Sequence, residues 1–149
     1  MNWLKKLIGG TDGPRGVDYY AEAMALLDAG SLHEALTSLR LALKDTPGDP
    51  LVLQQIAITY TRMGLLDEAA KTYRHVLQKH PDTPGAHYGL AFLLVRGGHL
   101  QAAAEHLRAF LAGAPSDPAS APHVTHARET LDALAAMEDE AGGAARESA

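Results

Sequence analysis

The sequence predicts an all-α fold built of stacked helix–turn–helix units, and three observations carry that prediction. Landmark residues recur every 34 positions: Gly30, Gly64 and Gly98; Leu32, Leu66 and Leu100; Ala35, Ala69 and Ala103; Pro47, Pro81 and Pro115. The same interval links Ala23, Ala57 and Ala91, then Arg40, Arg74 and Arg108, then Leu43, Leu77 and Leu111. Between these landmarks the apolar residues fall at helical rather than strand spacing. Self-similarity at this period marks units that cannot bury an apolar face alone and do so against their neighbours. Function then belongs to a surface, not to a catalytic cleft.

The first copy spans residues 16–49, the second 50–83 and the third 84–117. In the second copy Leu53, Ile56, Ala57 and Tyr60 make one apolar stripe on a first helix. Gly64 breaks that helix. Asp67 and Glu68 open the next one, where carboxylates suit the positive end of the helix dipole, and Ala69, Tyr73, Val76 and Leu77 form its stripe. Asp49-Pro50, Thr83-Pro84 and Asp117-Pro118 each place a capping residue before a proline, the favoured pairing at a helix start. After Pro115 a loop-like stretch leads to a last helix, within 118–140, with Val124, Ala127, Leu131, Leu134 and Ala135 on one face. Proline at 122 as well as 118 implies a start that is kinked or delayed to about Ala121. An array of this kind needs such a cap, because its last repeat would otherwise expose a stacking surface. Residues 141–149 are expected to be disordered.

Residues 1–15 stand apart. Trp3, Leu4, Leu7 and Ile8 lie at helical spacing opposite Lys5 and Lys6, and Gly9-Gly10 followed by TDGPRG reads as a linker. Two helical turns are marginal alone in water, so this segment is expected to order only against a surface: a lipid interface, a partner, or the protein's own groove.

The whole chain sets outer bounds. A length of 149 residues with 46% hydrophobic content suits one domain with a substantial core. A net charge of −5 and a pI near 5.8 exclude a broad electrostatic footprint for nucleic acid. The absence of cysteine removes disulfides and thiolate chemistry. With neither an export signal nor a membrane-spanning run, the expectation is a cytoplasmic protein of bacterial type, at most peripheral at the inner face of the membrane. Eight histidines make the surface charge pH-sensitive, and none falls in a repeated column.

The columns resemble those of the tetratricopeptide repeat family over residues 16 to about 117. The family's small residue in the first helix matches Ala23, Ala57 and Ala91, and its turn glycine matches Gly30, Gly64 and Gly98. The small residue opening the second helix matches Ala35, Ala69 and Ala103, the large apolar one matches Leu39, Tyr73 and Leu107, and the terminal proline matches Pro47, Pro81 and Pro115. The aromatic position of the first helix survives only as Tyr19, being Leu53 and His87 later. Phe110 stands where a small residue is usual, and should fill space against whatever follows the third repeat.

The resemblance implies a right-handed α-solenoid of three repeats with a C-terminal capping helix, and a concave groove lined by the first helices. Transferred to this chain, the groove residues are Tyr20, Met24 and Leu27, with Val17 and Asp28 beside them. The second copy gives Gln54, Ile58, Thr61 and Arg62, with Leu51, and the third gives Tyr88, Phe92, Val95 and Arg96. Ordinary packing is the competing reading for Met24, Leu27 and Ile58. Relatives that clamp acidic chaperone tails use a lysine and asparagines where Tyr20, Met24 and Gln54 stand, which disfavours that ligand. An apolar groove suits an apolar or amphipathic partner segment, with Arg62 and Arg96 placed to meet a carboxylate on it. Arg40, Arg74 and Arg108 on the second helices read as a solvated face with weak ion pairs.

Chemistry for catalysis is missing from the sequence. His123, His126 and Glu129 share one helix face, but one short face does not supply a metal shell, so neither metal nor cofactor is expected. There is no phosphate loop, nucleophile elbow or spaced carboxylate pair. The functional expectation is a non-enzymatic adaptor or scaffold that binds a protein or peptide segment during complex assembly. The alternative is a peripheral membrane organiser docked through Trp3, Leu4, Leu7 and Ile8; self-association, with that segment in a second copy's groove, is a third reading.

Overall fold

The repeat interval of the sequence is also an interval of structure. In the computed structural model, which describes residues 16–148, seven helices are present among the described residues: α1 (Tyr19–Asp28), α2 (Leu32–Asp45), α3 (Pro50–Arg62), α4 (Leu66–Lys79), α5 (Pro84–Arg96), α6 (Leu100–Gly113) and α7 (Ala121–Glu147). Helices α2, α4 and α6 begin and end at positions displaced by one repeat, and so do α3 and α5. Trp3, Leu4, Leu7 and Ile8 lie outside the described residues.

The three first helices end in the same way, and the turn glycine is the reason. Gly30, Gly64 and Gly98 have φ of 78°, 79° and 79°, a left-handed conformation that costs any residue with a Cβ. That conformation lets Ser31, Leu65 and His99 N–H each reach back to the carbonyls of Leu26, Tyr60 and Leu94, at 2.9 Å in every copy. These bonds satisfy carbonyls the helix end would leave unpaired, and after α1 and α5 the next helix packs back on the first.

Helix starts follow the capping chemistry less evenly. Asp49 Oδ1 accepts from Leu51 N–H at 2.9 Å, as the Asp-Pro pairing predicts, and Asp18 accepts from Ala21 N–H at 3.0 Å. Thr83 departs from expectation: its hydroxyl donates to the His80 carbonyl at 2.7 Å and makes no cap. Asp117 is displaced from its expected role because α7 starts late, at Ala121 with Pro122 in the first turn. Its carboxylate instead accepts from Ser120 N–H at 2.8 Å. Hydrogen bonding from the Ser120 side chain, and then from its backbone N–H, stabilises the charged form and lowers the Asp117 pKa.

Chain contacts divide the molecule between Leu65 and Leu66. In the first unit α2 packs on α1 and α3. Its core is Ala23, Leu36, Leu39, Ala42, Val52 and Ile56, with Tyr19, Tyr20, Met24, Tyr60 and Met63 packed around it. In the second unit α5 packs on α4 and α6, and α7 on α6. Its core gathers Ala91, Ala104, Leu107, Phe110, Ala127 and Leu134. Phe110 thus fills space against the last helix, as its size at a normally small position implies. The alanine columns are buried because helices approach there to methyl distance: Ala23, Ala35, Ala57, Ala69, Ala91 and Ala103 expose nothing.

Two expectations are corrected at the C-terminus. The last helix does not stop at Glu140, and the segment expected to be disordered continues it to Glu147. Gly142 and Gly143 have no neighbour within 4 Å of a built Cβ, so they sit on an open helix surface, and the alanines, arginine and glutamates around them are good helix formers. Ala135, assigned to the apolar face, is exposed; contact of α7 with its unit ends at Leu134.

Candidate partner-binding surface

In the first unit the candidate residues divide by exposure. On α3, Leu51, Gln54, Ile58 and Thr61 occupy one face, opposite the buried Val52, Leu53, Ile56, Ala57 and Thr59. Leu51 is 52% exposed and Ile58 38%. On the same face Gln54 Nε2 and Thr61 Oγ1 donate within the helix, to the Pro50 and Ala57 carbonyls. On α1, Tyr20 and Met24 are half-buried against the core. Val17 and Tyr20, with Leu51, line a 320 Å³ cleft rimmed by Asp18, Asp45 and Asp49. Burial first, then the Asp49 charge, raises the Tyr20 pKa, opposed by a hydrogen bond from Gln55.

Two candidates of this unit have other roles. Leu27 is only 6% exposed and belongs to the buried face of α1, so it cannot meet a partner. Arg62 donates from Nη1 to the Leu27 carbonyl at 3.1 Å. It thereby satisfies a carbonyl at the C-terminal end of α1, where a cation also suits the helix dipole. Its fork is not held open for a ligand carboxylate.

In the second unit the last helix meets the candidate residues on α5. Tyr88 and Phe92 are half-buried, and their rings pack against α7. His126 stacks on Phe92 with ring centroids 4.5 Å apart and planes 7° from parallel, and its Nδ1 lies 2.9 Å from the Tyr88 hydroxyl. His123 meets Tyr88 edge to face at 5.0 Å, and Tyr88 also touches Phe110 at 5.0 Å. Burial raises the Tyr88 pKa. Tyr88 and Phe92 therefore seat the capping helix, and His123 and His126 are the other half of that joint. Among the described residues no group of three or more histidines and carboxylates is placed to hold a metal. Val95 is half-buried and Arg96 exposed.

Three features escaped the sequence reading. His87 Nδ1 and His106 Nδ1 lie 2.9 Å apart, and His87 Nε2 is 2.8 Å from the Pro81 carbonyl. A neutral His87 donates from Nε2 to that carbonyl, so its Nδ1 accepts and His106 donates. Burial, then the neighbouring His87 and Arg74 charges, lower the His106 pKa against an opposing pull from Glu105. Gly89 is the second feature: a Cβ there would overlap the ring and hydroxyl of Tyr73. Tyr73 is buried in α4, which pushes its pKa up to about 12. The third is Arg40, whose Nη2 donates to the Tyr60 hydroxyl at 3.0 Å. The first arginine of its column makes a hydrogen bond to the next helix where an ion pair was expected. The ion pair present among the described residues, Lys71 with Glu68 at 3.8 Å, is exposed.

Residues 55–118 match the family model described as tetratricopeptide repeat. Among solved structures, the type III secretion chaperone SycD of Yersinia enterocolitica, in complex with a peptide of the translocator YopD, superposes with a TM-score of 0.74 at 18% identity, covering 80% of this chain and 92% of that one. PcrH, from Pseudomonas aeruginosa, in complex with the chaperone binding region of PopD, gives 0.71 at 19%, covering 80% and 90%. The first repeat domain of Spaghetti bound to an HSP90 peptide gives 0.66 at 15%, covering 78% and 90%. Comparison with curated proteins gives no match. The match to tetratricopeptide repeats thus covers residues 55–118, and the fold of the chain is the all-α helical-repeat fold of these structures.

Proposed function

We propose that this tetratricopeptide-repeat chain is a non-enzymatic adaptor, which holds an apolar or amphipathic segment of a partner protein on the exposed faces of its first helices during assembly of a complex. The observation that carries the reading is the outer face of α3, where Leu51 and Ile58 remain exposed two turns apart beside Gln54 and Thr61, whose donors are bonded within the helix. Apolar side chains at that spacing accept the i, i+3, i+7 anchors of a helix or the alternate side chains of an extended segment. Tyr20 and Met24 on α1, with Val95 and Arg96 on α5, extend the candidate surface within their own units. The similar structures support the reading in kind, since SycD, PcrH and Spaghetti are each seen with a peptide or binding region of another protein.

Photocrosslinking from position 58 in living cells tests the proposal. Leu51→Asp with Ile58→Asp should abolish the crosslinked species at unchanged far-ultraviolet circular dichroism, whereas Met137→Asp, on the exposed part of α7, should leave it intact. Recovery of the same species from the double variant would overturn the assignment. A cytoplasmic location and docking at the inner face of a membrane through Trp3, Leu4, Leu7 and Ile8 rest on the sequence. No described helix is long and apolar enough to cross a membrane.

A further inference from the structure

The repeats provide their own control for a site that shares only Arg96 with the partner-binding surface proposed above. In the first unit Arg40 is held by the Tyr60 hydroxyl, and Tyr60 and Met63 pack against the core. One repeat later these three positions are Arg74, Leu94 and Gly97. Leucine has no acceptor to offer and glycine has no side chain, so a guanidinium loses its partner where a ring and a thioether lose their volume. A 490 Å³ cavity opens there, between α4, α5 and the turn after α5. Ala70, Leu93 and Leu94 give it an apolar wall, and Lys71, Arg74 and Arg96 line it with Asp67, Lys71 being paired with Glu68. Among the described residues neither Arg74 nor Arg96 forms an ion pair, although the chain as a whole carries −5.

We propose that this cavity is a second binding site, which takes a carboxylate side chain of the partner segment together with an adjacent apolar or aromatic group. The missing tyrosine defines the ligand: a ring-sized apolar body to cover Leu93 and Leu94, and an acceptor oxygen for Arg74. A carboxylate fits better than a hydroxyl because Arg74 and Arg96 both line the cavity without an ion-pair partner among the described residues, and a guanidinium binds a carboxylate through two parallel bonds. The proposal rests on the adaptor reading for the source of the carboxylate but not for the existence of the site.

The test uses the full chain and two acetylated, amidated tetrapeptides, Ala-Phe-Glu-Ala and Ala-Phe-Gln-Ala, titrated at low salt and followed by heteronuclear NMR. The glutamate peptide should bind about tenfold more tightly than the glutamine peptide, the ratio expected of one charge-assisted contact. The perturbed amides should lie in α4 and in the turn after Arg96, and added salt should erase the difference. Leu94→Tyr with Gly97→Met restores the first unit's arrangement, fills the cavity and occupies Arg74. That variant should keep its melting temperature and lose the glutamate peptide, as should Arg74→Gln with Arg96→Gln. Equal affinity for both peptides, binding of neither, or undiminished binding by the refilled variant overturns the site. Loss of crosslinking in the α3 double variant is a separate readout, so the cavity can fail while the adaptor reading stands.

Discussion

Gly89 shows how a single atom fixes the contact between two helices. Alanine normally stabilises an exposed helix interior relative to glycine by about 1 kcal/mol. Here the added methyl would collide with the Tyr73 ring, a large group buried in α4 with little room to retreat. Overpacking of a tight interior costs about 1–3 kcal/mol, so the clash outweighs the propensity gain. Gly89→Ala is therefore expected to lower stability by about 1–2 kcal/mol in urea unfolding, and Tyr73→Leu in the same chain to recover part of it. An additive double-mutant cycle would show that the two residues do not touch. The repeats explain the pairing: the corresponding positions in the preceding copy are Leu39 and Gln55, a smaller residue facing a larger one. No conserved column marks Gly89, because the close approach compensates for one copy's oversized tyrosine.

At the scale of elements, the turns were written in the sequence and the joints were not. Glycine, alanine and proline columns fix where helices end and how closely they approach, since those residue types act through backbone conformation and absence of bulk. The α1, α3 and α5 termini follow from them. The seating of α7 could not be read that way. Tyr88 and Phe92 present aromatic faces to either a partner or a neighbouring helix, and spacing alone does not choose. His123 and His126, read as a weak metal face, are the ring partners that settle it. Arg62 was similarly ambiguous, because a guanidinium suits a ligand carboxylate and a helix-end carbonyl alike. From the joint, Tyr88→Ala with Phe92→Ala is expected to loosen α7, raising hydrogen exchange across residues 121–134 while α4 and α6 stay protected. A truncation after Leu134 should change neither, since every described residue beyond it is exposed. Loss of protection in α6 on that truncation would mean that the distal part of α7 packs after all.

For the whole molecule, charge and stability respond to acid through the histidines, and the directions can be worked out. Eight histidines carry the formal charge from −5 toward positive values as pH falls, and the charge vanishes near the pI of 5.8. Repulsion between molecules is weakest there, so solubility should pass through a minimum in that range. Stability follows from His106, a base whose pKa in the folded chain lies below its ordinary value of 6.5. Between the two values the unfolded chain holds a proton that the folded chain refuses, so stability rises with pH there. The His106 contribution is thus complete above pH 6.5 and is lost as pH falls through that value toward the lowered one. Replacing the ring by Gln keeps a donor for His87 Nδ1 and removes the titration. His106→Gln is accordingly expected to flatten the decline in melting temperature between pH 7.5 and 5, followed by circular dichroism at low protein concentration to avoid the solubility minimum. A parallel decline in both proteins would assign the acid sensitivity to other groups. A rise in the native protein's melting temperature on acidification would reverse the sign and rule out a lowered His106 pKa.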